Sequence, residues 1–171
     1  MVEIRELSAA ECRSFQSALA DVLVDCVEGG ASVSFVAPFS KAAAEDFFKK
    51  TFDEVDRGNR ILLAAFLDGK LVGTAQLVLA MPPNQPHRAE VAKLLVARSA
   101  RGQRIGARLM EHIEQSARAA GKTLLVLDTE TGGNAERLYQ RAGWVRVGVI
   151  PNYAMLPDGK WGDTTIFWKR I

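Results

Sequence analysis

Between Phe15 and Val27 the apolar side chains Phe15, Ala18, Leu19, Val22, Leu23, Cys26 and Val27 recur at steps of three and four, which lays one stripe along a helix. Ser8-Ala9-Ala10-Glu11 ahead of it has the Ser-x-x-Glu form of a capping box, and Gly29-Gly30 stops it. A short strand, Glu3 to Leu7, precedes that helix. Ala44, Phe47, Phe48, Thr51, Phe52 and Val55 form a second stripe on a helix that begins near Ser40, with Gly58 where a C′ glycine belongs.

The period then changes. Arg60 to Leu67 is continuously apolar, Asp68-Gly69 is a two-residue hairpin turn, and Leu71 to Leu79 returns antiparallel. Met81 to His87 is the most proline-dense stretch and reads as an exposed loop, substrate-facing or disordered. Glu90 to Val96 is a strand, Ile105 to about Ala120 a helix with Ile105, Leu109, Ile113 and Ala117 on its buried face, and Thr123 to Asp128 a strand apolar enough to be covered on both sides. Strand, helix, strand is a parallel crossover. A short helix at Asn134 to Arg141 ends at Gly143; Trp144 to Val149 and Thr164 to Lys169 are two final strands joined by a long loop around Pro151 to Asp163.

Bulk composition narrows the class without naming a chemistry. The 171 residues suit one domain, and 48% hydrophobic with 25% charged residues is ordinary for a soluble globular chain. A net charge of +2 does not support a nucleic-acid partner. No stretch approaches a membrane span and Met1 to Glu6 lacks the apolar core of a signal peptide, so a cytoplasmic protein is expected. Cys12 and Cys26 sit about 21 Å apart if their helix is continuous, too far for a bridge. Cys26 belongs to the core stripe, and neither is assigned a catalytic role.

The candidate chemistry concentrates at Arg101-Gly102-Gln103-Arg104-Ile105-Gly106-Ala107, a glycine-containing turn that runs from an apolar strand into an amphipathic helix. A helix start leaves its first N–H groups without partners at the positive end of the macrodipole, which makes an anion site. Arg98, Arg101, Arg104 and Arg108 add charge, and a pyrophosphate fits. A Walker loop would need Gly-Lys-Ser/Thr, and a dinucleotide fingerprint three glycines and a distal acid; neither is present.

Leu94 to Gly106 resembles the acetyl-CoA signature of the GNAT N-acetyltransferases, Gln/Arg-x-x-Gly-x-Gly/Ala after an apolar strand. Asn134 to Trp144 resembles that family's second signature, a helix carrying Asn and Tyr that ends in Gly plus an aromatic. Arg104 stands where the loop pattern has its first glycine, which a backbone-donating loop tolerates if φ there is negative. The resemblance implies an α/β (α+β) single-domain GNAT acyl-CoA N-acyltransferase fold, with a mixed, mostly antiparallel central sheet and helices on both faces. It also implies acetyl-CoA as acetyl donor, no metal and a small-molecule amine as acceptor, and it leaves a homodimer open. Within the family, Gly29 to Val33, Arg88 to Leu94, Leu127 to Glu130 and Pro157 to Gly159 are similar to the tabtoxin-resistance branch, which implies a β-lactam toxin or an antibiotic resembling an amino acid. A protein N-terminus or lysine as acceptor, or a non-catalytic acyl-CoA sensor, are the alternatives.

An alkylammonium acceptor must lose a proton before it can attack a thioester, so a base is needed. Glu90 and Asp128 are the candidates, on the two strands flanking the crossover helix. Glu90 reads equally as a solvated edge carboxylate, whereas Asp128 ends an apolar run where an unpartnered acid would be costly. The resemblance places Tyr139 near the sulfur as the acid that protonates the departing thiolate, against the reading of an ordinary core tyrosine. Asn134 would bond the pantetheine or cap its helix, N–H groups around Leu94, Leu95 and Val96 would polarise the thioester carbonyl, and the loop from Arg101 to Ala107 would hold the pyrophosphate. Tyr153 and Trp161, in the final loop, are candidates to line the acceptor pocket, and His87 to touch substrate.

Overall fold

A computed structural model describes residues 1–171. In chain order the elements are β1 (Val2–Glu6), α1 (Ala9–Ser14), α2 (Gln16–Glu28), α3 (Lys41–Asp56), β2 (Arg60–Leu67), β3 (Lys70–Val78), β4 (Arg88–Val96), α4 (Ile105–Ala119), β5 (Leu124–Glu130), α5 (Asn134–Arg141), β6 (Val145–Met155) and β7 (Trp161–Arg170). They build one seven-stranded sheet in the order β1-β2-β3-β4-β5-β7-β6, in which only β4 and β5 run parallel. This is the mixed, mostly antiparallel sheet with helices on both faces that the family resemblance implies.

Strand β2 is nearly all apolar because both its faces are covered. Leu62, Ala64 and Phe66 join Leu19, Leu23, Phe48 and Phe52 under α1 to α3, while Leu63 and Ala65 face Leu109 and Ile113 of α4. Local signals hold at most boundaries. Ser8 and Glu11 form the reciprocal capping box, Ser40 Oγ accepts the Ala43 N–H, and Asp68-Gly69 turns with φ of +49° and +80°.

Three expectations are corrected. The first helix breaks at Phe15 (φ −96°, ψ 8°), whose ring packs edge-on against Phe66 5.2 Å away, so the helix is not continuous between the two cysteines. Both thiols are nevertheless buried and free, with Cys12 Sγ directed at the Leu7 carbonyl and Cys26 Sγ at the Val96 carbonyl. The long loop after Val149 is instead strand, since β6 continues to Met155 and closes a hairpin on β7 with an irregularity between Ile150 and Ala154. Pro151-Asn152 is the source of that error, because Asn152 takes φ +51° within a bulge rather than in a turn. The proline-dense loop borders neither of the two clefts that flank α5. It lies at the amino-terminal end of β4, where the His87 carbonyl accepts from Thr123 N and Lys122 Nζ bridges the Leu79 and Pro86 carbonyls.

Candidate active site

The parallel pair β4 and β5 is in register only from Arg88 to Glu90 against Leu124 to Val126, and beyond that the strands part. The gap opens a cavity of about 380 Å³, lined by the second half of β4, the end of β5, residues 29–34 after α2, and α5. A second cleft of about 820 Å³ runs between α4 and α5. Val96, Arg101, Gly106, Asn134 and Leu138 border both, so the two form one continuous groove.

The loop at the head of α4 has the anion-binding geometry expected of it. From Gly102 to Ala107 no backbone N–H donates a hydrogen bond within the chain, and the helix ladder starts only at Arg108 N to Arg104 O. The conformation of Arg104 is a correction: its φ is +59°, left-handed, not negative. A non-glycine residue held there costs on the order of 1 kcal/mol, and Gly102 at φ +82° precedes it, so the loop folds tightly enough to aim its N–H groups outward. Gly106 lets α4 and α5 approach closely, since a Cβ there would lie 3.1 Å from Leu138 Cδ1 of α5 and the leucine would have to shift by a few tenths of an ångström.

The four-arginine cluster divides. Arg101 and Arg104 line the groove, but Arg98 is bound to Asp25 through Nε (2.8 Å) and its backbone N–H (2.7 Å), and Arg108 Nη1 donates to the Val2 carbonyl. In place of these two, Arg137 and Arg141 of α5 border the cleft, together with Lys169 of β7, whose ammonium is bound to Glu114 Oε1 at 2.6 Å and to the Ala142 carbonyl. Sequence reasoning missed them; Arg137 and Arg141 lie four apart on one helix face, which was the available signal.

Tyr139 is 5% exposed, and its ring packs between Trp144 and Phe167 at 6.0 and 5.9 Å. It lines the cavity, and its hydroxyl makes no hydrogen bond within the chain. Burial, and then the nearby Asp128 carboxylate, push the phenol far above its ordinary range, so it keeps its proton. Glu136, one turn earlier on α5, accepts from Gly132 N and Thr165 Oγ1 and so ties the start of that helix to β7.

Asp128 lines the same cavity, where Thr164 Oγ1 donates to its Oδ2 at 3.3 Å. It is exposed, so the argument that burial makes it costly does not hold. The apolar run before it is covered fully on one face only: Leu125 and Leu127 are buried under α4, whereas Leu124 and Val126 are half-buried. Glu90 stands apart. Its Cα is in register with Val126, its side chain is exposed and paired with Arg88 at 2.6 Å, and it does not line the cavity. Asn134 borders both parts of the groove but is the first helical residue, not the cap; Gly133 occupies the cap. Leu94, Leu95 and Val96 line the wall. Tyr153 (52% exposed) and Trp161 (62%) lie on the outer β6–β7 hairpin, away from the cavity.

Two cavity residues escaped sequence reasoning as chemistry, Lys93 and Glu130. Burial lowers the proton affinity of Lys93, which Asp128 partly restores, and burial raises that of Glu130 despite a hydrogen bond from Ser32 N.

A model of the acetyltransferase (GNAT) family matches residues 28–144. An uncharacterized N-acetyltransferase from the hisH-hisA intergenic region of Azospirillum brasilense is 35% identical over 112 residues, which cover 64% of this chain and 65% of that protein, just under two thirds of its length. The structure is similar to the GNAT-family acetyltransferase of Streptococcus pneumoniae, with TM-score 0.80, 23% identity and 100% of each chain covered. It is similar also to yncA of Salmonella typhimurium, determined with its cofactor acetyl-CoA, with TM-score 0.78, 17% identity, and 99% and 94% coverage. Loop, crossover helix, parted strands and family match agree, and the chain belongs to the acetyltransferase (GNAT) family.

Proposed function

We propose that this protein transfers the acetyl group of acetyl-CoA to an amine of a small molecule. The observation that carries the proposal is the continuous groove, which leads from the unpartnered N–H groups of Gly102 to Ala107 past Asn134 to Tyr139 and Asp128. Its parts fit the donor. Arg101, Arg104 and the N–H groups from Gly102 to Ala107 suit a pyrophosphate, and the bare Cα of Gly106 leaves room for a narrow pantetheine arm beside Leu138. Acetyl-CoA, when bound, supplies an activated acyl group as a thioester. Backbone N–H groups from Leu94 to Val96 polarise its carbonyl, Asp128 takes a proton from the acceptor ammonium, and Tyr139 gives its proton to the departing thiolate. Glu90, paired with Arg88 on β4 one residue before the cavity wall, is the alternative base that acceptor kinetics tests.

The acceptor we infer is a compact amine resembling an amino acid, with β-lactam toxins of the tabtoxin type among the candidates. Support comes from where the branch-like segments fall: residues 29–33, residues 91–94 and Asp128 to Glu130 line the cavity, while Pro157 to Gly159 do not. Exposed Val145, Val147, Ile150, Tyr153, Met155 and Trp161 on the outer hairpin favour a homodimer over a monomer, which light scattering reads directly.

A thiol-release assay with acetyl-CoA tests the reaction across amines, amino acids, β-lactam toxins and short peptides. Turnover with small amines is expected. Turnover with peptides alone moves the acceptor to a protein, and tight acetyl-CoA binding with no turnover for any amine makes the protein a sensor.

A further inference from the structure

Lys93 is the one cation of the acceptor cavity that comes from β4, and the strand deforms to put it there. Gly73 pairs with Val96 and Thr74 with Leu95, but the next pair is Gln76 with Ala92, so Lys93 and Leu94 together oppose Ala75. This is a β-bulge, and Lys93 sits in it at φ +52°. In a regular strand consecutive side chains alternate faces, and Lys93 would point into the α4 core with Val91. Instead its ammonium lies 5.8 Å from the Phe47 ring of α3 and 2.9 Å from Ser34 Oγ, on the acceptor side.

Ser34 is itself left-handed, at φ +78°. Two strained non-glycine residues from distant parts of the chain thus meet through one hydrogen bond on the cavity wall. Lys93 forms no ion pair. Its charged neighbours are Asp128 and a second cation, Arg60, which donates to Gln76 Oε1 and has the Glu54 carboxylate nearby. The direct contacts of this half-buried ammonium are a hydroxyl and a ring, with Asp128 near it but not in an ion pair, so it can take a carboxylate partner. Across the cavity stand Asp128 and Glu130.

We propose that Lys93, steadied by Ser34, binds a carboxylate of the acceptor, so that the substrate class is an amine bearing a free carboxylate rather than a simple amine. This rests on the transfer reaction proposed above and adds a recognition residue to it. The ammonium of such a zwitterion faces Asp128 and Glu130 while its carboxylate faces Lys93, which orients the amine toward the thioester end of the groove. Lys93 takes no part in proton transfer.

The test pairs each standard L-α-amino acid with its own α-carboxamide as probe, for the wild type, Lys93→Gln, Lys93→Arg and Ser34→Gly, with folding checked by circular dichroism. Binding is measured by calorimetry in the presence of CoA, and thiol release is measured separately. The wild type is expected to bind at least one amino acid about 10- to 100-fold more tightly than its amide, the usual worth of a hydrogen bond to a charged group. In Lys93→Gln that preference vanishes through acceptor KM, while kcat and the acetyl-CoA KM hold within about threefold, and Lys93→Arg restores part of it. Ser34→Gly weakens the preference severalfold. Equal losses for acid and amide, or no carboxylate preference in the wild type, overturn the proposal. Calorimetric preference without thiol release keeps the carboxylate site and sinks the transfer reaction instead.

Discussion

Replacing Tyr139 by Phe should move activity and stability in opposite directions. The ring keeps its contacts with Trp144 and Phe167 at 6.0 and 5.9 Å, and only a hydroxyl with no partner in the chain is lost. Removing a hydroxyl that has no partner in the chain and opens onto the cavity breaks no internal hydrogen bond, so unfolding free energy should stay level or rise by about 1 kcal/mol. For a domain of this size that is an increase in Tm of about 2–4 °C. The departing thiolate, by contrast, loses its acid. A positioned general acid is worth about 10²-fold or more, so kcat should fall by about 100-fold, or about 2.7 kcal/mol in the barrier, with acetyl-CoA affinity little changed. Stopped-flow thiol release at saturating acetyl-CoA reads the first effect and urea unfolding the second. Tyr139→Ala is the control, since it empties the aromatic cluster and should cost about 3–5 kcal/mol of stability. A kcat within threefold of wild type would remove Tyr139 from the chemistry. A Tm drop beyond about 4 °C for Tyr139→Phe would instead show that its hydroxyl holds the fold together.

Asp128→Asn should lower kcat/KM by at least ten times more than Glu90→Gln, because Asp128 lines the cavity while Glu90 is paired with Arg88 outside it; the reverse order in acceptor kinetics would make Glu90 the base. Gly106→Val should raise the acetyl-CoA KM at least tenfold, because its side chain would project beside Leu138, 3.1 Å from the Cβ position, into the groove proposed for the cofactor; a dissociation constant unchanged by calorimetry would refute that route for the cofactor. The Glu11 carboxyl is held down from 4.5 to about 2 by the Ser8 N–H, the Arg5 guanidinium and the Ser8 hydroxyl. A carboxyl depressed in the folded state stabilises fully above its unfolded value and loses that contribution as pH falls, here between about 4.5 and 2. Glu11→Gln should therefore flatten the acid-side decline in stability over that window, and parallel wild-type and variant curves would count against it. Burial pushes the Cys12 thiol up to about 11, so native protein at pH 8 should resist alkylation at Cys12 and react only on unfolding.

Most of the architecture was readable along the chain, and the failures have identifiable causes. The Phe15 break was invisible because the apolar stripe continues through it unchanged, whereas in the fold its ring is seated on Phe66, a residue fifty-one positions away. Pro151-Asn152 carries turn composition, yet backbone pairing with β7 holds the segment as a strand. The four arginines of the loop looked equivalent, and Asp25 and the Val2 carbonyl removed two of them from the groove. Asp128 was selected for burial and turned out to be exposed, while Lys93 was passed over because nothing in its neighbours announces a bulge.

Periodicity, caps and turn residues act within about four positions of themselves, so helix starts, the hairpin at Asp68-Gly69, the anion loop and the order of elements all follow from local chemistry. The parting of β4 from β5, the aim of Lys93, the separation of Glu90 from Asp128 and the sharing of arginines depend on which distant atoms come within a few ångströms. Those contacts exist only after the sheet has assembled, because hydrogen-bond partners and burial are properties of the packed chain and not of its neighbours in sequence.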